Sequence, residues 1–396
     1  MSSDFAPGFS LLPLPQIHFG PGRFSMFPGL CSSFGKNLLL VTGKETLQRS
    51  DRMANLFDAL AGEGIVVIHI KVGREPSPEL IDRTVSANRG RLVDVVASIG
   101  GGSVLDAGKA ISAMLRQHHP VERFIEGREG FMPHDGRKVP FIAVPTTSGT
   151  GSEVTSNAVI SSVGPGGYKR SLRHTAFVPD VAVVDPELMT TVPPGLTSAS
   201  GMDACTQLLE AYLSPFANSY TDAVAFSGLE RFSRSFVDAC TTGSGSVSVR
   251  GDIAYAALMS GIALANAGLG IVHGFASSAG GLYDIPHGTL CATLLAEATK
   301  ENIRQLRLVD EGHPSLLKFA KVGRLLAGVQ SADVAEGCDL LAGKLVEWQE
   351  ALGFPRLREF GVREGELDSI VAVTRSKSNA VALDSGSMRR ILAARL

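Results

Sequence analysis

The stretch Val93–Leu115, VDVVASIGGGSVLDAGKAISAML, constrains the fold more than any other part of the chain. An apolar run with no polar alternation reaches three glycines and a serine, and a helical pattern begins at once. A strand that is apolar on both faces must be covered on both faces, which is the situation of a parallel sheet. Asn37–Thr42 (NLLLVT) and Gly64–Ile70 (GIVVIHI) read as strands of the same kind. Glu45–Gly62, Pro78–Arg89 and Val104–Leu115 read as helices alternating with them. Strands and helices in alternation predict an α/β domain.

The turn itself suggests a ligand. Glycines at 100, 101 and 102 let the backbone approach an anion closely, Ser103 adds a hydroxyl, and the following helix directs its positive end to the same place. A pyrophosphate is the natural occupant, and Asp106 and Lys109 lie one and two turns into that helix. The turn is neither GxGxxG nor a P-loop, and a tight strand-to-helix connection without a ligand is the alternative. A further strand, Phe141–Val144, leads into PTTSGTGSEVTSNAVI at 145–160. Thr146, Thr147, Ser148, Thr150, Ser152 and Thr155 give this run a density of hydroxyls suited to the ribose, phosphate or amide groups of a nucleotide. A hairpin loop rich in turn formers is the competing reading. Tyr168–Arg173 is locally basic, and Val181–Val184 is a strand ending at Asp185-Pro186.

Past Glu187 the texture changes to helix almost throughout, with breaks at Thr241–Ser248 and around Pro314 and Pro355. The division falls near Pro186–Pro194, giving an α/β domain over 1–188 and an all-helical one over 189–396. Ser198 or Ser200 is placed to cap a helix over Gly201–Tyr212. Asp203 and Gln207 share a face of it, with Glu210 one turn on as a further ligand or an inter-helix charge partner. Ile253–Val272 is uncharged over 20 residues, the length of a membrane span, but its glycines, alanines and Asn266 fit a buried central helix better. Directly after it, Ile271–Gly288 carries His273 and His287 in a stretch with almost no charge. Two imidazoles in apolar surroundings suit a metal or proton-transfer site, or else a pair of core histidines bonded to backbone carbonyls.

Composition narrows the class. Residues are 44% hydrophobic and 19% charged with a net charge of -2, which fits a globular protein and gives no electrostatic support for nucleic acid or an anionic membrane. The five cysteines include no CxxC pair, which suits a reducing, cytoplasmic setting and speaks against a thiolate zinc site. MSSDFAPGFS has neither the basic nor the apolar part of a secretory signal.

Five motifs in order resemble the iron-containing (group III) alcohol dehydrogenase family. They are GGGSVLDAGKA at 100–110, PTTSGTGSEVT at 145–155, VPDVAVVDPEL at 178–188, PPGLTSASGMDACTQLLEAY at 193–212 and AGLGIVHGFASSAGGLYDIPHG at 267–288. The resemblance implies a parallel-sheet dinucleotide-binding domain followed by an all-helical domain, an architecture shared with dehydroquinate synthase-like proteins. It implies a divalent metal, Fe²⁺ or Zn²⁺, in the cleft between them, held by Asp203, Gln207, His273 and His287. Gln207 stands where the family has histidine, and an amide oxygen is a weaker ligand for these ions than imidazole. Ser277 stands where members often carry a proton-relaying histidine.

The implied chemistry is hydride transfer between a nicotinamide and a small alcohol or aldehyde whose oxygen the metal polarises. Gly100, Gly101, Gly102, Ser103 and Asp106 are implied at the pyrophosphate, Thr146, Thr147, Thr150 and Ser152 along the cofactor cleft, and Lys169 near the nicotinamide ribose and phosphates. Gly43 replaces the aspartate with which NAD-preferring members hold the adenosine ribose, and Lys44 or Arg49 can pair with a 2′-phosphate. NADP is therefore expected over NAD. Three other functions stay open: a metal-independent oxo-acid reductase like the maleylacetate reductases, a dehydroquinate synthase-like lyase, and a non-catalytic nucleotide-binding protein. The family often forms homodimers or larger homo-oligomers.

Overall fold

Ahead of the expected strands stands β1 (Gln16–Phe19), QIHF, which no apolar run marks, and the apolar runs become β2 (Asn37–Gly43), β3 (Val66–Val72), β4 (Val95–Gly100) and β5 (Phe141–Pro145). A hairpin of β6 (Asn157–Ser162) and β7 (Tyr168–Arg173) precedes β8 (Val181–Val184). The computed structural model describes residues 8–48, 53–164, 166–330, 333–375 and 378–396. The six-stranded sheet has the order β1-β8-β5-β4-β2-β3 and is parallel throughout, while β6 and β7 pair antiparallel outside it. From β2 the chain goes outward to β3, then returns to place β4 on the other side of β2. That reversal opens a crevice beyond the carboxyl ends of β2 and β4, the place where such sheets hold ligands. Gly43 and Gly100 end those two strands.

Both faces of the sheet are covered. Leu39, Val41, Val96, Phe141 and Ala143 point to α3 (Pro78–Asn88) and α4 (Gly102–Met114). Their neighbours Leu38, Leu40, Val95, Ala97 and Ile142 point to α1 (Phe27–Phe34) and α2 (Leu56–Gly62). The helix expected over Glu45–Gly62 is shorter: a 3₁₀ turn spans Thr46–Gln48 and α2 begins only at Leu56, with 49–52, including Arg49, outside the described residues.

The second half is helical: α5 (Pro194–Leu213), α6 (Ser219–Cys240), α7 (Val247–Ala267), α8 (Ile271–Leu282), α9 (His287–Val309), α10 (Pro314–Ala327), α11 (Val334–Ala351), α12 (Leu367–Val373) and α13 (Ser385–Ala394). Helix α5 starts seven residues before the expected Gly201, because a proline fits the first turn of a helix, where its missing N–H is no loss. Ser198 and Ser200 are therefore not caps, and their hydroxyls donate to the carbonyls of Gly195 and Thr197. The uncharged run 253–272 is not one helix either. It breaks at Gly268 (φ +78°), a conformation that suits glycine, and α8 begins after it. Although α7 is long and apolar enough to cross a membrane, its Ala254, Leu258 and Ile262 pack on Val154, Val184 and Met189. At Gly151 (φ +62°) a side chain would come within 2.4 Å of the Gly261 backbone, so the hydroxyl-rich loop lies directly on α7.

Candidate active site

Two groups of residues face the junction of the two halves. The first is the glycine turn. Gly100 closes β4, Gly101 precedes α4, and the N–H groups at Gly102 and Ser103 lie in the first turn, where a helix offers them no partner. The loop after β5 arches over this turn. A Cβ on Gly102 would lie 2.5 Å from Thr150 Cγ2, and one on Gly101 would lie 3.2 Å from Thr147 Oγ1. The turn is thus a narrow cradle that any side chain would fill, which fits a pyrophosphate against backbone N–H groups. Thr146, Thr147 and Thr150 are half-buried beside it, and the Thr146 N–H donates to the Gly100 carbonyl at 2.9 Å.

Asp106 and Ser152 sit differently from the direct cofactor contacts that the motif suggests. Ser152 Oγ donates to Asp106 Oδ1 at 2.5 Å, and the Val159 N–H donates to Asp106 Oδ2 at 3.0 Å. Lys109 Nζ donates to the carbonyls of Ser152, Thr155 and Asn157 at 2.7–2.9 Å and lies 3.1 Å from the hydroxyls of Ser152 and Thr155. These two side chains of α4 bind the loop to the helix that carries the turn. Ser148, also read as a nucleotide hydroxyl, donates to Met189 Sδ.

The second group lies where α5, α8 and α9 converge. Asp203 Oδ1 is 3.3 Å from His273 Nε2 and 3.6 Å from His287 Nε2. It is nevertheless a buried oxygen with no hydrogen-bond partner. An orphaned carboxylate oxygen flanked by two imidazole nitrogens fits a divalent cation better than it fits a closed hydrogen-bond network. Cys291 brings a fourth donor atom, its Sγ 3.9 Å from both Nε2 atoms, and the four donor atoms all lie within 4.8 Å of one another. The fourth donor anticipated, Gln207, is engaged elsewhere: its Oε1 accepts from Ser260 Oγ at 2.6 Å. The cysteines, dismissed as zinc ligands for want of a CxxC pair, thus supply one member to the group. The usable signal was the spacing His287-Gly-Thr-Leu-Cys291, which puts both side chains on one face of α9.

Glu210 is the other residue the sequence left ambiguous, and it acts as an inter-helix partner. Its Oε2 accepts from His273 Nδ1 at 2.7 Å and its Oε1 from the Val272 N–H at 2.7 Å. One carboxylate therefore satisfies an orphan donor at the start of α8 and fixes the His273 ring with Nε2 toward Asp203. Burial opposes charge on His273, yet the Cys291 sulfur, Asp203 and Glu210 together hold its pKa well above the usual histidine range. For His287, burial prevails over the pull of Asp203 and lowers the pKa to about 4. For Asp203 the attraction of His287 and His273 outweighs burial, and its carboxyl stays below the ordinary value.

Ser277 is exposed one turn past His273, and its hydroxyl donates to the His273 carbonyl at 3.0 Å. Lys169, on β7, is buried and pairs with Glu75, which also accepts from Ser161 Oγ at 2.6 Å. Sequence reasoning did not anticipate Glu75. Asn379 Oδ1 accepts from the Ile271 N–H at the start of α8, and Arg173 pairs with Glu126.

Residues 15–186 match the model for iron-containing alcohol dehydrogenase, and residues 197–393 match the C-terminal model of the same family. The chain belongs to the iron-containing alcohol dehydrogenase family. As a member it is an NAD(P)-dependent oxidoreductase acting on CH–OH groups. It is 32% identical over 378 residues to 1,3-propanediol dehydrogenase of Klebsiella pneumoniae, covering 93% of this chain and 92% of that one. It is 30% identical over 388 residues to NADPH-dependent butanol dehydrogenase of Clostridium saccharobutylicum, covering 96% and 94%. Among solved structures, an alcohol dehydrogenase from Oenococcus oeni superposes with a TM-score of 0.87 at 27% identity, over 98% of this chain and all of that one.

Proposed function

We propose that this alcohol dehydrogenase interconverts small alcohols and aldehydes with NADP as its hydride carrier and a divalent metal at Asp203, His273 and His287. The division of labour follows the two halves, 1–188 for the dinucleotide and 189–396 for metal and substrate. The observation that carries the reading is the orphaned Asp203 oxygen between two imidazole nitrogens. When bound, the ion supplies Lewis-acid polarisation of a substrate oxygen.

The chain's own residues do the rest. Gly100, Gly101, Gly102 and Ser103 bind the pyrophosphate with backbone N–H groups, and Thr146, Thr147 and Thr150 close over it. Lys169, its charge partly offset by Glu75, holds the ribose and phosphates at the nicotinamide end. Glu210 keeps the His273 ring turned to Asp203. Ser277 directs its hydroxyl hydrogen at the His273 carbonyl, so its oxygen lone pairs are left to accept from a substrate hydroxyl at the exposed edge of the site. A nicotinamide held there would take up the hydride in the oxidative direction, and Ser277 would accept the substrate hydroxyl and lead its proton toward solvent. Gly43 supports NADP, because the end of β2 then carries no carboxylate to repel a 2′-phosphate. The exposed Lys44 follows it as a partner for a 2′-phosphate. Five buried free thiols support a cytoplasmic setting, and a homodimer is the assembly to look for by light scattering.

The test is a reductase assay over a panel of short aldehydes with NADPH and NADH, on protein stripped of metal and on protein reloaded with Fe²⁺ or Zn²⁺. Activity that returns with metal and favours NADPH supports the reading. Full activity in stripped protein overturns the metal part. A preference for NADH above about tenfold, or about 1.4 kcal/mol in the wrong direction, overturns the NADP part.

A further inference from the structure

We propose that Cys291 is a metal ligand, a thiolate that takes the place left by Gln207 and turns the site toward Zn²⁺ over Fe²⁺. The proposal rests on the metal-dependent reading above. Cys291 follows His287 by one turn of α9, so both donors leave the same helix face. Its sulfur is fully buried, and beside the apolar core that α9 packs into it has two imidazole nitrogens and a carboxylate within reach. A tetrahedral zinc site with Zn–N and Zn–O near 2.1 Å and Zn–S near 2.3 Å has donor–donor edges of roughly 3.3–3.6 Å. The observed edges are 3.3 Å from Asp203 to His273, 3.6 Å from Asp203 to His287, and 3.9 Å from Cys291 to each histidine. The two remaining edges are no longer than 4.8 Å, so closing around an ion draws the longest edge in by at most about 1.2 Å. The orphaned Asp203 Oδ1 aims into the same space.

Position 207 makes the exchange intelligible. Gln207 stands one turn after Asp203 on α5, but Ser260 occupies its oxygen. One donor is withdrawn from α5 and another is presented from α9, so the number of protein donors stays at four. The kind of donor changes. A thiolate is softer than an imidazole or an amide, and thiolate sites favour Zn²⁺ over harder demands. Loading releases the thiol proton: Cys–SH and M²⁺ give Cys–S–M⁺ and H⁺.

Metal-free protein is loaded with Zn²⁺ alone and examined by X-ray absorption. A sulfur shell at about 2.3 Å in the wild-type protein is the expected result, and it requires no variant to fold. Loading with Co²⁺ should give a thiolate-to-cobalt charge-transfer band in the near ultraviolet that Cys291→Ser lacks. In chelator competition, Cys291→Ser should bind Zn²⁺ at least about 100-fold more weakly, the upper end of what loss of an outer partner costs. Cys338→Ser, which removes another fully buried thiol, should bind as the wild type does. A shell of nitrogen and oxygen only, or an identical cobalt spectrum in Cys291→Ser, overturns the assignment of Cys291 and leaves the metal-dependent reading standing. No stoichiometric binding of either ion overturns both.

Discussion

Glu210→Gln tests how far the site depends on one buried carboxylate. Each oxygen of Glu210 receives one donor, the Val272 N–H at 2.7 Å and His273 Nδ1 at 2.7 Å. An amide of the same shape has one acceptor and one donor. With its oxygen kept on the Val272 N–H its NH₂ faces Nδ1, so either two donors are opposed or His273 must move its proton to Nε2, the nitrogen that faces Asp203. That costs about 1–3 kcal/mol of folding stability. The same change frees the His273 ring to rotate and lowers the basicity of its Nε2. Loss of such an orienting partner weakens metal binding about 10–100-fold, or about 1.4–2.7 kcal/mol. Two measurements separate the effects: urea unfolding of metal-free protein gives the first, and chelator competition on the folded variant gives the second. A stability loss with metal affinity unchanged would mean that Glu210 only ties α8 to α5, and the orienting role would be wrong.

Lys109→Met should leave the loop over the glycine turn unanchored and Asp106 without its neighbouring cation. A stability loss of about 3 kcal/mol or more and weaker cofactor binding by calorimetry are expected. Burial pushes Glu153 up to about 7 from 4.5, so the folded state holds that proton more tightly than the unfolded one. Its stabilising effect is full below about pH 4.5 and lost as pH rises through about 7, a change of about 3 kcal/mol. Urea midpoints should therefore fall between pH 5 and 8 in the wild type more steeply than in Glu153→Gln. Lys44→Ala should raise KM for NADPH by about tenfold, the worth of one exposed charge-assisted bond, and leave KM for NADH unchanged.

Apart from the edge strand β1 (QIHF), the sheet was legible because its inner strands are apolar on both faces, and the glycine turn because three glycines have few other uses. The hairpin was not. YKRSLR at 168–173 reads as a basic segment, and only its pairing with β6 buries Tyr168 and Leu172 while Arg170 and Arg173 stay outside. The start of α5 was missed because a Pro-Pro-Gly sequence suggests a linker, whereas Pro194 sits in the first turn of the helix. In the site, Asp203, His273 and His287 could be found by motif order. What their positions in the chain do not show is how three helices approach one another. That approach assigns Glu210 to His273 across 63 residues and sets Cys291 against both histidines. Gln207 and Cys291 stand in the same relation to a neighbour, each one turn past a donor on its own helix. Taken position by position, glutamine at 207 is a lost ligand. Taken by the helix faces that meet around Asp203, the loss on α5 and the thiol on α9 are two halves of one exchange. The property that such an exchange alters is the preference for one ion over another.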